Sequence, residues 1–188
     1  DSPGVEAEVN ANQSGTTARF TVPLAALGEA PVVVDAHPQM RGRPMGDQFS
    51  ALRTMGVTIE ELGDVDRLPA RITGPIAGSE TSLPGDTSSQ FITGLLLAGG
   101  TSSMRVSLTG EIISRPYIEM TGAVMASFGA EVDDDGERTW TVGGGYTGTD
   151  YRIEPDASAA SDVLAAAAST GGRVRIDGLG SAALPGEG

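Results

Sequence analysis

The run Thr87-Ser88-Ser89-Gln90 puts three hydroxyls and an amide directly ahead of the apolar stretch Phe91–Ala98, which Gly99-Gly100 bounds. Hydroxyl residues at a helix start leave side-chain O–H and backbone N–H groups pointing at one spot. That spot also feels the positive end of the helix dipole, so an anion such as a phosphate would sit well there. Taken alone, the run reads as an ordinary helix cap. The pattern recurs, however. Gln13-Ser14-Gly15-Thr16-Thr17-Ala18-Arg19 is a second hydroxyl-rich start, and Glu154-Pro155-Asp156-Ala157-Ser158 is a third start, with the acidic Asp156 in place of a hydroxyl. Arg43-Pro44 and Arg115-Pro116 recur with them, and a guanidinium fork holds carboxylate or phosphate while staying charged.

Those groups need short, regularly repeated elements to bring them together. Val5–Asn10 and Val32–Asp35 read as strands; between them the run Gln13–Arg19 leads into an Ala/Leu-rich helix to about Leu27, which Gly28 ends and Pro23 should kink. His37-Pro38 begins a loop, and Pro44 opens a helix over Met45–Met55 that Gly56 closes. Strands at Val57–Glu60 and Ala70–Thr73 flank an acidic turn. The series then restarts: strand Thr81–Leu83, helix Ser88–Ala98, strand Met104–Thr109, helix Tyr117–Phe128, and strands Glu131–Asp133 and Thr139–Val142. Aligning Arg43-Pro44 with Arg115-Pro116, and Gly56 with Gly129, gives a repeat of about 72 residues. A third series begins with a strand Asp150–Ile153, an alanine-rich helix to about Thr170 and a strand Arg173–Asp177. The unit reads strand-helix-strand-helix-strand-strand, an α/β (α+β) module, and the chain is expected to be a piece of something longer.

Composition narrows the function. The 188 residues carry a net charge of −13, which argues against a nucleic-acid partner. All 12 basic residues are arginine, so chemistry that needs a lysine is not completed within this chain. One histidine, His37, and no cysteine leave no basis for a Ser-His-Asp triad, a thiolate site or a histidine-rich metal site. The lack of cysteine also fits a reducing cytoplasm. No apolar run reaches the roughly 20 residues of a membrane span, and neither a span nor a signal peptide is expected.

The motifs Gln13–Arg19, Arg41-Gly42-Arg43-Pro44-Met45, Ser88-Ser89-Gln90-Phe91, Ser114-Arg115-Pro116-Tyr117-Ile118-Glu119 and Glu154–Ser158 occur in one order. Together they resemble the 5-enolpyruvylshikimate-3-phosphate synthase (3-phosphoshikimate 1-carboxyvinyltransferase) family, from about Gly15 to Leu179. The resemblance implies two similar domains, each of three βαβαββ units around a pseudo-threefold axis. Residues 1–152 would be units two and three of the first domain, and 153–188 the crossover and start of the second. It implies transfer of the enolpyruvyl group of phosphoenolpyruvate to the 5-hydroxyl of shikimate 3-phosphate. A tetrahedral intermediate forms, phosphate leaves, and no metal or other cofactor takes part. The enzyme would be a cytoplasmic monomer at full length, serving aromatic amino-acid biosynthesis and inhibited by glyphosate in the phosphoenolpyruvate pocket.

By the same resemblance Ser88, Ser89 and Gln90 would cradle shikimate 3-phosphate, Ser114 would complete its phosphate site and Tyr117 would line its ring. Arg43, Gly15 and Gln90 would meet phosphoenolpyruvate, Gly15 because a Cβ there would intrude. Tyr117 is also readable as plain core, and His37 and Asp133–Asp135 as solvated loop. Asp156 reads as a helix cap or inter-domain contact. Three positions depart from the family's pattern: Gln13 stands for a usual Asn, Arg115 for a common Lys, and Asp162 for an aromatic in a helix expected to be mostly buried. The family's Lys-Ser…Arg segment and its acid–base groups do not occur here, so no catalytic residue is assigned and the chain alone is expected to be inactive. A chain with one unit missing is further expected to be partly disordered or to aggregate. The alternative is a non-catalytic ligand-binding or assembly module built on the same repeat. The sister transferase acting on UDP-N-acetylglucosamine is disfavoured by Ser-Ser-Gln and by the absence of that family's cysteine.

Overall fold

The computed structural model describes residues 6–179. The first repeat comprises β1 (Ala7–Asn10), α1 (Gly15–Ala25), β2 (Val32–Asp35), the single turn α2 (Pro38–Arg41), α3 (Gly46–Thr54), β3 (Thr58–Glu61) and β4 (Ala70–Thr73). The second comprises β5 (Glu80–Pro84), α4 (Ser89–Ser102), β6 (Met104–Thr109), α5 (Arg115–Ser127), β7 (Glu131–Asp134) and β8 (Thr139–Gly143), and α6 (Ala157–Thr170) follows. Each repeat folds into a four-stranded mixed sheet, ordered β1-β2-β4-β3 and β5-β6-β8-β7. In both, the first two strands are parallel and joined through a helix, while the last two form an antiparallel hairpin. The matching connectivity is the βαβαββ unit that the sequence repeat predicts.

Alternation explains how each sheet faces its helices. Met104, Val106 and Leu108 of β6 point inward, while Arg105 and Thr109 face out. One apolar core joins the repeats, with Val34, Ile72, Phe49 and Leu52 from the first and Leu95, Leu96, Val106 and Trp140 from the second. The helix α4 lies at its centre, packed on α1, α5, β6 and β8, so the hydroxyl-rich start of α4 is anchored by the most buried element of the chain.

Several elements differ from the sequence expectation. Gly99-Gly100 does not end α4, which continues to Ser102. These glycines are packing gaps: a Cβ on Gly99 would lie 2.7 Å from Met104 and Val142, and one on Gly100 would lie 2.5 Å from the Tyr146 hydroxyl. His37-Pro38 is not a loop start, because His37 Nδ1 accepts the Gln39 N–H and caps α2. The helix assigned from Met45 begins at Gly46, with the Met45 N–H donating instead to the Asp66 carbonyl at 2.8 Å. Segments 150–153 and 173–177 form no strands, since a strand needs a laddered neighbour and neither has one among the described residues. The helix expected to bury Asp162 is exposed along its length, with only Ala160 buried, so Asp162 meets water. Among the described residues, no helix is long and apolar enough to cross a membrane.

Candidate anion-binding site

Two helix starts meet at the site. Ser14 caps α1 by accepting the Thr17 N–H, and Ser88 caps α4 by accepting the Gln90 N–H, both from extended backbone. The helices approach closely because Gly94 has no side chain: a Cβ there would stand 2.5 Å from the Arg19 carbonyl oxygen. Their positive ends are thereby directed to one region.

Three side-chain hydrogen bonds cross-link the two starts. The Arg19 guanidinium donates to Gln90 Oε1 at 2.7 Å and to Ser88 Oγ at 3.4 Å, and it lies 4.8 Å over the Phe91 ring. Gln90 Nε2 in turn donates to Thr16 Oγ1 at 3.1 Å. Gly15 is the gap at the middle, where a Cβ would fall 3.1 Å from Arg43 Nη1, 3.5 Å from Gln90 Oε1 and 3.7 Å from Arg19 Nη1. Gly15, Arg43, Gln90 and, through Arg19, Ser88 therefore ring one point.

Electrostatics make that point unusual. Arg19 is 8% exposed, its Nε has no hydrogen-bond partner, and no carboxylate pairs with Arg19 or Arg43 among the described residues. Burial first, and then the charge of Arg43, push the Arg19 pKa below the ordinary guanidinium range. Two like charges held beside two helix N-termini are stabilised when an anion arrives.

Beside this seat, a groove of about 400 Å³ opens over α4 between α1 and α5, lined by Thr16, Phe20, Ser89, Gln90, Met120 and Tyr117 among others. Tyr117 is half exposed and faces this groove rather than the core. Ser114 is brought in neither by a side-chain bond nor by lining the groove. It is an exposed residue at the start of α5 with φ 65°, and its hydroxyl makes no capping bond. Asp156 caps α6 through the Ser158 and Ala159 N–H groups. The acidic run 133–135 belongs to the β7–β8 hairpin, where Asp134 pairs with Arg115 and Asp135 accepts N–H groups of its own turn. Arg19 and Gln48 carry weight that the motif reading does not assign to them. Arg19 stood inside a quoted motif, but the sequence gives no sign that it is buried without an acidic partner.

The sequence and its doubled βαβαββ scaffold are similar to known proteins. The sequence model for EPSP synthase (3-phosphoshikimate 1-carboxyvinyltransferase) matches residues 2–187. The chain belongs to the EPSP synthase family. Among similar proteins, the 3-phosphoshikimate 1-carboxyvinyltransferase of Serratia proteamaculans is 37% identical over 185 residues, covering 96% of this chain and 43% of that protein. The corresponding protein of Mycobacterium ulcerans is 40% identical over 182 residues, covering 94% and 41%. The EPSP synthase structure from Acinetobacter baumannii superposes with a TM-score of 0.69 at 26% identity, over 86% of this chain and 36% of that one. The chain thus spans about two fifths of the length of the curated relatives it matches.

Proposed function

We propose that this chain supplies the anion-gripping part of an enzyme that moves the enolpyruvyl group of phosphoenolpyruvate onto the 5-hydroxyl of shikimate 3-phosphate, with loss of phosphate. In this reading Arg43, the bare backbone at Gly15 and the Gln90 amide hold phosphoenolpyruvate. Ser88, Ser89, Gln90 and Ser114 hold the phosphate and hydroxyls of shikimate 3-phosphate, and Tyr117 flanks its ring. The observation that carries the proposal is the convergence of Arg43 Nη1, Arg19 Nη1 and Gln90 Oε1 on Gly15, with no carboxylate paired to either arginine among the described residues. The family membership and the relatives' names support this choice of anions.

Residues 1–152 correspond in this reading to units two and three of the first domain, and 153–188 to the crossover. The full-length enzyme works as a cytoplasmic monomer, without a metal; the lack of cysteine supports a reducing compartment. Proton transfer to and from the reacting carbons needs acid–base groups that do not stand in the seat, so the chain alone binds without turning over.

Titration of the chain with shikimate 3-phosphate and phosphoenolpyruvate, followed by phosphate-release assay, tests the reading. Saturable binding of both, with no phosphate release, is expected. Release at an enzymic rate overturns the inactivity, and failure of either anion to bind overturns the assignment of the seat.

A further inference from the structure

A proline within a helix removes one N–H and leaves bare the carbonyl four residues earlier. In α1 the proline is Pro23, and the carbonyl is that of Arg19. It does not stay bare. Gln48 of α3, fully buried, donates Nε2 to the Arg19 carbonyl oxygen at 2.9 Å and to the Phe91 carbonyl oxygen at 3.3 Å. Chemistry fixes which way this amide points, since only its NH2 group can meet two carbonyls. The arrangement depends on Gly94, where a Cβ would lie 2.5 Å from the Arg19 oxygen and 3.0 Å from Gln48 Nε2.

The two carbonyls lie on different helices, and both helices carry the anion seat. Arg19 owns the buried guanidinium that holds Gln90 and Ser88. Phe91 follows Gln90 and provides the ring beneath that guanidinium. We propose that Gln48 is a positioning residue for the seat: its buried amide ties α1 to α4 and thereby holds Arg19 against Gln90 Oε1. Gln48 touches no anion itself. It acts through Arg19 and Gln90, and this role rests on the reading of the seat as an anion site. A purely structural amide would do no more than satisfy the carbonyl that Pro23 leaves bare. A tie between helices does more, and the two roles separate cleanly, because alanine at position 23 returns the missing N–H to the Arg19 carbonyl.

The chain has four glutamines, at 13, 39, 48 and 90, so glutamine-selective 15N labelling resolves the Gln90 side-chain amide by NMR. Four proteins are compared: the wild-type chain, Gln48→Leu, Pro23→Ala and the double variant. The readouts are the unfolding midpoint, the order of the ligand-free Gln90 amide and the affinity for phosphoenolpyruvate. In Gln48→Leu all three fall, with affinity lower by about tenfold, as loss of a well-placed charge-assisted contact gives. In the double variant the midpoint returns toward that of Pro23→Ala, while the Gln90 amide stays mobile and affinity stays weak. A Gln90 amide as ordered in the double variant as in Pro23→Ala overturns the positioning role. The double variant keeps a donor for the Arg19 carbonyl and carries the test if Gln48→Leu alone does not fold. A wild-type chain that binds no phosphoenolpyruvate overturns the proposed function, and the ligand-free order of Gln90 still decides the role of Gln48.

Discussion

Arg43 and Arg115 stand at equivalent turns of the two repeats, each followed by proline and by the second long helix of its unit. Arg115 is fully engaged by its own unit. It meets Asp134 through two contacts at 2.8 and 3.0 Å, Glu119 at 3.2 Å and the Glu137 carbonyl at 2.9 Å, and it lies 5.3 Å over Trp140. Arg43 has no carboxylate partner among the described residues, and Nη1 hangs over the gap at Gly15. The bracing differs too: Arg67 donates to the Gly42 carbonyl directly before Arg43, whereas Arg138 donates to the Gly110 carbonyl, five residues before Arg115. One scaffold thus uses the same arginine as a strut in one copy and leaves it without a carboxylate partner, among the described residues, in the other.

The first helices diverge in a complementary way. Ser14-Gly15-Thr16 opens α1 and Ser88-Ser89-Gln90 opens α4, with a serine cap in both. Where the second repeat presents side-chain hydroxyl and amide, the first presents bare backbone beside two guanidiniums. The pair forms one seat with different halves, which neither repeat supplies alone.

Exchanging the roles of the two arginines should produce the largest effect. Arg43→Ala is expected to weaken phosphoenolpyruvate binding by about 1.5–3 kcal/mol, the usual worth of a hydrogen bond to a charged group, while leaving the unfolding midpoint in place. Arg115→Ala is expected to do the opposite, with affinity unchanged and stability lower by about 1 kcal/mol from a partly exposed ion pair and a ring contact. Calorimetric titration and thermal unfolding of both variants read the contrast. Equal losses of affinity would remove the distinction between free and engaged arginine.

Gly15→Ser, which gives the first repeat the residue of the second, comes next. The new Cβ would sit 3.1 Å from Arg43 Nη1 and 3.5 Å from Gln90 Oε1, tight but against side-chain ends that can shift. The expected cost is about 1 kcal/mol in phosphoenolpyruvate affinity, with little change for shikimate 3-phosphate, whose proposed contacts lie at the starts of α4 and α5. A parallel loss for both anions, measured in the same titration, would show that they share the Gly15 side of the seat.

How far the seat could be read in the sequence follows from these particulars. The repeat was legible because Arg-Pro and a helix-ending glycine recur at one spacing, and apolar alternation marks β6. The hydroxyl starts were legible because capping chemistry is local. Gly99-Gly100 misled as a terminator, since whether a glycine ends a helix or admits a neighbour depends on Met104, Val142 and Tyr146, all met in space. Arg19 and Gln48 were invisible for the same reason. Their role depends on which charges fail to reach Arg19, and on a carbonyl that Pro23 frees beside a different helix. The strands expected at 150–153 and 173–177 have β-compatible residues, but propensity cannot supply a partner.

The third helix start extends the comparison to hydrogen exchange. Asp156 caps α6 as Ser14 and Ser88 cap their helices, yet α6 buries only Ala160 while α4 buries most of its length. Capping contributes about 1 kcal/mol, far less than a packed face. Amides of α1 and α4 should therefore exchange only through large-scale opening, and those of α6 through local fraying, slower than an unfolded peptide by less than about tenfold. Protection of α6 equal to that of α4 would show that a cap without packing suffices here.

The smallest effect concerns the two hairpins, whose turns are each held by one carboxylate. In the first, Glu61 accepts from the Asp66 N–H at 2.9 Å and from Arg53 at 2.6 Å, and Arg53 is the main cause of its lowered pKa. In the second, Asp135 accepts N–H bonds from Thr139, Glu137 and Arg138, which pull its pKa down to about 2. A carboxyl depressed in the folded state stabilises the fold above its unfolded pKa, and that contribution fades as pH falls through the folded value. For Asp135 the window runs from about pH 4, where an unfolded aspartate titrates, down to about 2. Asp135→Ala should flatten the pH dependence of stability in that window alone, and a carboxyl-detected titration should place the wild-type midpoint near 2. Added salt separates the two turns further. Screening weakens the ion pair of Glu61, whereas the backbone bonds of Asp135 involve no opposite full charge, so its midpoint should move less with ionic strength than that of Glu61.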